Sequence, residues 1–104
     1  MAIHINIIGA GNMAYQLTQA FHNHPEVQLQ QLYNRSELSP EFNVFEIEKT
    51  HHLSTLRPAD VCIIAVKDEA IAEISKKLPF ENQLVVHTSG NTSIEAIDSK
   101  NRRG

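Results

Sequence analysis

Apolar and polar positions alternate along Ile3–Ile8 (Ile-His-Ile-Asn-Ile-Ile), a period of two rich in β-branched residues that predicts a strand. The pattern then runs through Gly9-Ala10-Gly11-Asn12-Met13-Ala14 and changes period. Ala14, Leu17 and Phe21 recur at helical spacing, with Met13 and Ala20 beside them, and Pro25 closes that helix. A second strand is predicted over Val27–Tyr33, where Val27 and Leu29 alternate with Gln28 and Gln30, ending at Asn34-Arg35-Ser36.

Residues 37–58 carry the weakest pattern. Ser39-Pro40-Glu41 suits a turn or a helix start, residues 44–47 a short edge strand, and residues 52–56 one helical turn. That leaves no room for a full crossover helix, so an abbreviated βαβ unit is expected. Residues 59–66 form a nearly continuous apolar run, which suits a central parallel strand covered on both faces. Asp68 is placed to cap a following helix, Glu69 to complement its dipole, and Ile71, Ile74 and Leu78 to form its apolar stripe. Lys76 and Lys77 fall at its other end, where cations are favoured. Leu84–His87 predicts one more strand, and Thr92-Ser93-Ile94-Glu95 has the spacing of a capping box opening a last short helix through Ile97.

Strands and helices therefore alternate, which predicts an α/β fold of Rossmann type: a doubly wound, mostly parallel sheet of about five strands. Residues 100–104 carry no turn or cap signal, so the chain is expected to be a fragment cut before a C-terminal domain. At 104 residues there is length for one small core. Nine basic against twelve acidic side chains give a formal charge of −3, which offers no electrostatic case for nucleic acid or an anionic membrane. No apolar run approaches the roughly 20 residues of a membrane span and no signal peptide is visible, so a cytoplasmic protein is expected. Cys62 is the single cysteine, which rules out an internal disulfide; inside an apolar strand it reads as inert core. The pairs His22/His24 and His51/His52 lack the i, i+4 spacing of a helical zinc site and read as loop histidines, with no metal expected.

Chemistry enters with Gly9-x-Gly11-x-x-Ala14, which lies between a predicted strand and a predicted helix, the context that gives this motif meaning. Gly9 would permit the tight turn, Gly11 would let backbone approach a pyrophosphate, and Ala14 would let the helix pack on the first strand. A dinucleotide pyrophosphate would then rest on the helix N-terminus, against Gly9, Ala10, Gly11, Asn12 and Met13. Selectivity is set at the end of the second strand. Sites selective for NAD place Asp or Glu there, about 20 residues beyond the glycines, to hold the ribose 2′-hydroxyl. Here the residues are Asn34, Arg35 and Ser36, with no carboxylate until Glu37. A guanidinium pairs bidentately with a 2′-phosphate and a serine hydroxyl adds a donor, so the expected cofactor is NADP(H). The same missing acid counts against a methyltransferase or an FAD enzyme of this shape.

Four segments together carry a family resemblance: Ile-Gly-Ala-Gly-Asn-Met-Ala, Tyr-Asn-Arg-Ser, Ala-Asp-Val-Cys-Ile-Ile-Ala-Val-Lys-Asp-Glu-Ala-Ile and Val-Val-His-Thr-Ser-Gly. They resemble the Rossmann-like family whose C-terminal half is a domain of unknown function 2520, a group similar to pyrroline-5-carboxylate reductase and to NADP oxidoreductases that use a deazaflavin coenzyme. The resemblance implies a helical C-terminal domain that completes the substrate pocket and forms a homodimer. It also implies that nicotinamide runs past the ends of the fourth and fifth strands, with Ala65, Val66, Lys67 and Thr88 near the cofactor and residues 88–90 near the reaction centre. His87 is the candidate proton donor and Ser89 could orient a carbonyl or imine. Two functions stand side by side: an NADPH-dependent oxidoreductase acting on a small carbonyl or imine metabolite, and a non-catalytic NADP(H)-binding module for redox sensing or assembly. In either case the fragment alone would be inactive as an enzyme, and its small-molecule substrate is not readable.

Overall fold

The computed structural model describes residues 2–9, 11–35, 38, 40–90 and 92–103. Among the described residues, six strands form one sheet in the order β3-β2-β1-β4-β5-β6. They are β1 (Ile3–Ile8), β2 (Val27–Tyr33), β3 (Glu48–Thr50), β4 (Val61–Ile64), β5 (Leu84–His87) and β6 (Arg102–Arg103). Every pairing is parallel. Two helices complete the layers: α1 (Asn12–His22) between β1 and β2, and α2 (Asp68–Lys77) between β4 and β5. This is the Rossmann order, and it reverses between β1 and β4, where such sheets open a crevice at the carboxyl ends of the strands. Among the described residues no helix is long and apolar enough to cross a membrane.

The apolar run of β4 serves both faces, because successive side chains point to opposite sides. Ile63 and Ala65 join Ile5, Ile7, Ala14 and Leu32 on the α1 side, whereas Cys62 and Ile64 join Ile8, Ile71, Leu78 and Val85 on the α2 side. Burial pushes the Cys62 thiol up to about 12, so it is protonated core at neutral pH, as expected.

The structure corrects four expectations. The first concerns the edge strand, predicted at residues 44–47 but formed by Glu48–Thr50 against Gln31–Tyr33. Residues 40–44 instead form a 3₁₀ helix, and Phe42 and Phe45 turn inward against Tyr15 of α1, with ring centroids 5.4 and 5.6 Å apart. The aromatic side chains cover the sheet where a crossover helix would lie, leaving a polar edge. That edge is held by Gln31, fully buried, which donates to Glu48 (2.6 Å) and the Thr55 carbonyl (3.0 Å) and accepts from the Arg57 amide (2.8 Å). Arg57 closes the set with two bonds to Glu48, and its guanidinium, with Gln31, holds the Glu48 carboxyl below its ordinary range.

The second correction is that Asp68 does not cap α2. Lys67 occupies the cap position without a side-chain bond, and Asp68 and Glu69 lie inside the first turn, where both favour the dipole. Third, Ser93 rather than Thr92 caps the last helix, accepting from the Glu95 amide at 3.1 Å, and that helix is a single 3₁₀ turn, Ile94–Ala96. Fourth, the sheet does not stop at β5: Arg102–Arg103 pairs with Leu84 and Val85 as a sixth strand.

Candidate functional site

The carboxyl ends of β1, β2, β4 and β5 surround a cleft of about 760 Å³. Its floor begins at Gly9, whose φ of 129° is a conformation that side chains rarely adopt. A Cβ on Gly9 would stand 2.2 Å from the Ala65 carbonyl oxygen, so glycine is required there by backbone meeting backbone. The approach is fixed from both sides, since the Gly9 amide donates to Tyr33 (2.7 Å) and the Ala65 amide to Ile8 (2.8 Å). Gly11 differs. Its backbone is extended, with φ −79° and ψ −170°, and a Cβ there would meet nothing within 4 Å. The space over Gly11 is therefore open cleft rather than packed protein.

Gly11 also caps α1, whose first intrahelical bond runs from the Tyr15 amide to the Gly11 carbonyl (3.0 Å). The amides of the first turn before Tyr15 have no carbonyl in the helix to bond to. They belong to Asn12, Met13 and Ala14, and no acidic side chain sits in that turn to claim their positive end. Met13, 49% exposed, contributes an apolar wall. Ala10 and Ser36 lie outside the described residues.

Opposite the glycine loop, Asn34 and Arg35 leave β2 and line the same cleft. Asn34 is pinned by its backbone: its amide donates to the Thr50 carbonyl (3.1 Å), and its carbonyl contacts His51 Nδ1 (3.0 Å). Arg35 is exposed, with its charge at the cleft. Ala65, Val66 and Lys67 line the cleft after β4, and Thr88 after β5. The structure thus gathers the predicted cofactor residues among those described around one volume.

It treats His87 and Ser89 otherwise. The Ser89 amide donates to His87 Nδ1 (3.2 Å), and His87 Nε2 lies 3.0 Å from the Ser93 carbonyl, which can only accept. That arrangement engages both ring nitrogens within the loop. The Ser89 hydroxyl bonds Thr92 Oγ1 at 3.1 Å.

Sequence reasoning missed one wall. Tyr33, Leu53, Glu73, Ile74 and Lys77 also line the cleft. Ile74 was legible only as core stripe and Lys77 only as a cation favoured at the helix end, while Glu73 carried no reading; the available signal was that α2 must flank the crevice once the strand order is known. Lys77 Nζ meets Glu73 Oε1 at 2.8 Å. That bond, with the charges of Lys77 and Arg35, holds the Glu73 carboxyl below its ordinary range.

Residues 4–91 match the family described as NADP oxidoreductase, coenzyme F420-dependent. The chain belongs to that family. Its cofactor is accordingly NADP(H), and the site fits it: open space over Gly11, helix amides directed at it, and a cation where an NAD site carries an acid. Among solved structures, a protein from Bacteroides fragilis assigned as an NADP oxidoreductase superposes with a TM-score of 0.79 at 30% identity, covering 94% of this chain and 40% of that one. A myo-inositol dehydrogenase from Corynebacterium glutamicum shares the fold at 11% identity (TM-score 0.73, covering 92% and 31%). So does a 3-ketoreductase from Actinomadura kijaniata, solved with TDP-benzene and NADP, at 15% identity (TM-score 0.64, covering 88% and 31%). The chain thus spans less than half the length of each. No curated protein matches it.

Proposed function

We propose that this chain is the cofactor-holding part of an oxidoreductase that moves a hydride between NADP(H) and a carbonyl or imine carbon of a small metabolite. The observation that carries the reading is that the glycine loop, the α1 amides and Arg35 all face one cleft. The bound nicotinamide supplies the hydride chemistry: reduction adds hydride to the carbon and a proton to its oxygen or nitrogen, leaving oxidised cofactor. The chain's own residues bind and orient. Gly9, Gly11, Asn12 and Met13 hold the pyrophosphate, Arg35 with Asn34 the phosphorylated ribose, and Ala65, Val66, Lys67 and Thr88 the nicotinamide end. His87 braces the loop beside that end through its two ring nitrogens, and Ser89, on the same loop, is assigned to orient the substrate carbonyl or imine.

On the resemblance to domain-2520 proteins and pyrroline-5-carboxylate reductases, we also propose that a further, helical domain completes the substrate pocket and that the full protein forms a homodimer through it. A cytoplasmic location suits a protein drawing on NADPH with a buried, unpaired cysteine. The family description favours one other hydride partner, the deazaflavin coenzyme F420. The deciding experiment follows NADPH oxidation by the full-length protein with a panel of small carbonyls and imines and, separately, with oxidised F420. Turnover with a carbonyl or imine supports the proposal, and turnover with F420 alone replaces the substrate class. Cofactor binding with no turnover on any of them points to a redox-sensing module.

A further inference from the structure

The cleft holds three cations and one anion among its described lining residues: Arg35, Lys67 and Lys77 against Glu73. Glu73 is therefore the sole described carboxylate facing the space assigned to cofactor, and it lies on the α2 wall rather than at the end of β2, where an NAD-selective acid would stand. We infer that Glu73 is a built-in counter-anion for Lys77 and Arg35, and that a ribose 2′-phosphate takes over both cations from it. On this assignment Lys77 is a second phosphate ligand held in reserve, and Glu73 tempers the preference for phosphorylated cofactor. The inference rests on the NADP(H) placement proposed above.

Two observations and one electrostatic argument support it. The Glu73–Lys77 bond of 2.8 Å joins residues four apart on one helix face, and both side chains are well exposed (70% and 61%). Such a pair is weak and easily exchanged for a stronger partner. Arg35 also acts on the Glu73 carboxyl through its charge, which places the β2 and α2 walls within electrostatic reach. Finally, a dianionic phosphate brought beside Arg35 meets Glu73 as a like charge. The carboxylate must then weaken phosphate binding by repulsion or by retaining Lys77, and its removal frees both cations.

The test is calorimetric titration of the full-length protein and its variants with NADPH and NADH at two salt concentrations. Glu73→Gln, which keeps a polar group of the same size, should raise the NADPH-to-NADH affinity ratio about three- to tenfold, with the gain shrinking at high salt. Lys77→Gln should lower the ratio by a similar factor. An unchanged or lowered ratio in Glu73→Gln overturns the inference; if Arg35→Ala still abolishes the preference, the cofactor placement itself survives. No NADPH preference in the unaltered protein overturns both. A matching melting temperature for Glu73→Gln excludes lost helix structure as the cause of any change.

Discussion

The two loops that leave the sheet at opposite sides of the cleft use their polar groups in opposite ways. After β1, the turn through Gly9 and Gly11 leaves the first amides of α1 without helical partners and keeps open space over Gly11. After β5, the described residues His87, Ser89, Thr92 and Ser93 bond one another: Ser89 amide to His87, His87 to Ser93 carbonyl, Ser89 hydroxyl to Thr92. Helix-start amides without helical partners, beside open space and with no acidic side chain in the first turn, suit an anion, which the helix dipole favours there. The first loop is shaped as a receptor. The second is shaped as a wall braced by its own bonds.

Substitutions can break this contrast, the largest effect coming at Gly9. Gly9→Ala places a Cβ against the Ala65 carbonyl at a disfavoured φ, and should cost about 2–4 kcal/mol of stability. Thermal unfolding would show this as a fall of roughly 10–25 °C; a fall of only a degree or two would mean that the two strand ends do not meet as described. Gly11→Val should do the reverse. It fills open space, so stability should change by less than about 1 kcal/mol while NADPH and NADH binding both fall by 100-fold or more, on the order of 3 kcal/mol. Retained affinity would show that the space over Gly11 is not where the pyrophosphate lies. The smallest effect is expected at His87. Removing its two bonds in His87→Ala should cost about 1 kcal/mol and speed hydrogen exchange at the Ser89 amide, with little change in NADPH affinity. Unaltered Ser89 exchange would remove His87 as the brace.

The sequence carried the same contrast unevenly. β1, β2 and β5 have the residue bounds their apolar patterns predict, because a period of two or a short apolar run reports directly which faces are covered. β4 is shorter than its apolar run: Ala59 precedes it and Ala65 follows it, in the backbone that Gly9 approaches. Residues 44–47 misled because Phe45 and Ile47 alternate as in a strand, while Phe45 in fact packs on Tyr15, a tertiary event with no local period. The glycine loop was readable since glycine is demanded by conformation and close approach, which are written locally. His87 was legible only by residue type, which offers an acid; the engagement of both its ring nitrogens needed the fold. The α2 wall, with Glu73 and Lys77, needed the strand order before its charges could be placed at a site.

The most direct test of the account is calorimetric titration of the protein and its Arg35→Ala variant with NADPH and with NADH. The unaltered protein should prefer NADPH, and Arg35→Ala should weaken NADPH by about 10- to 150-fold, the worth of one hydrogen bond to a charged group, while NADH changes far less. Equal losses for both cofactors, or no NADPH preference to begin with, would contradict it.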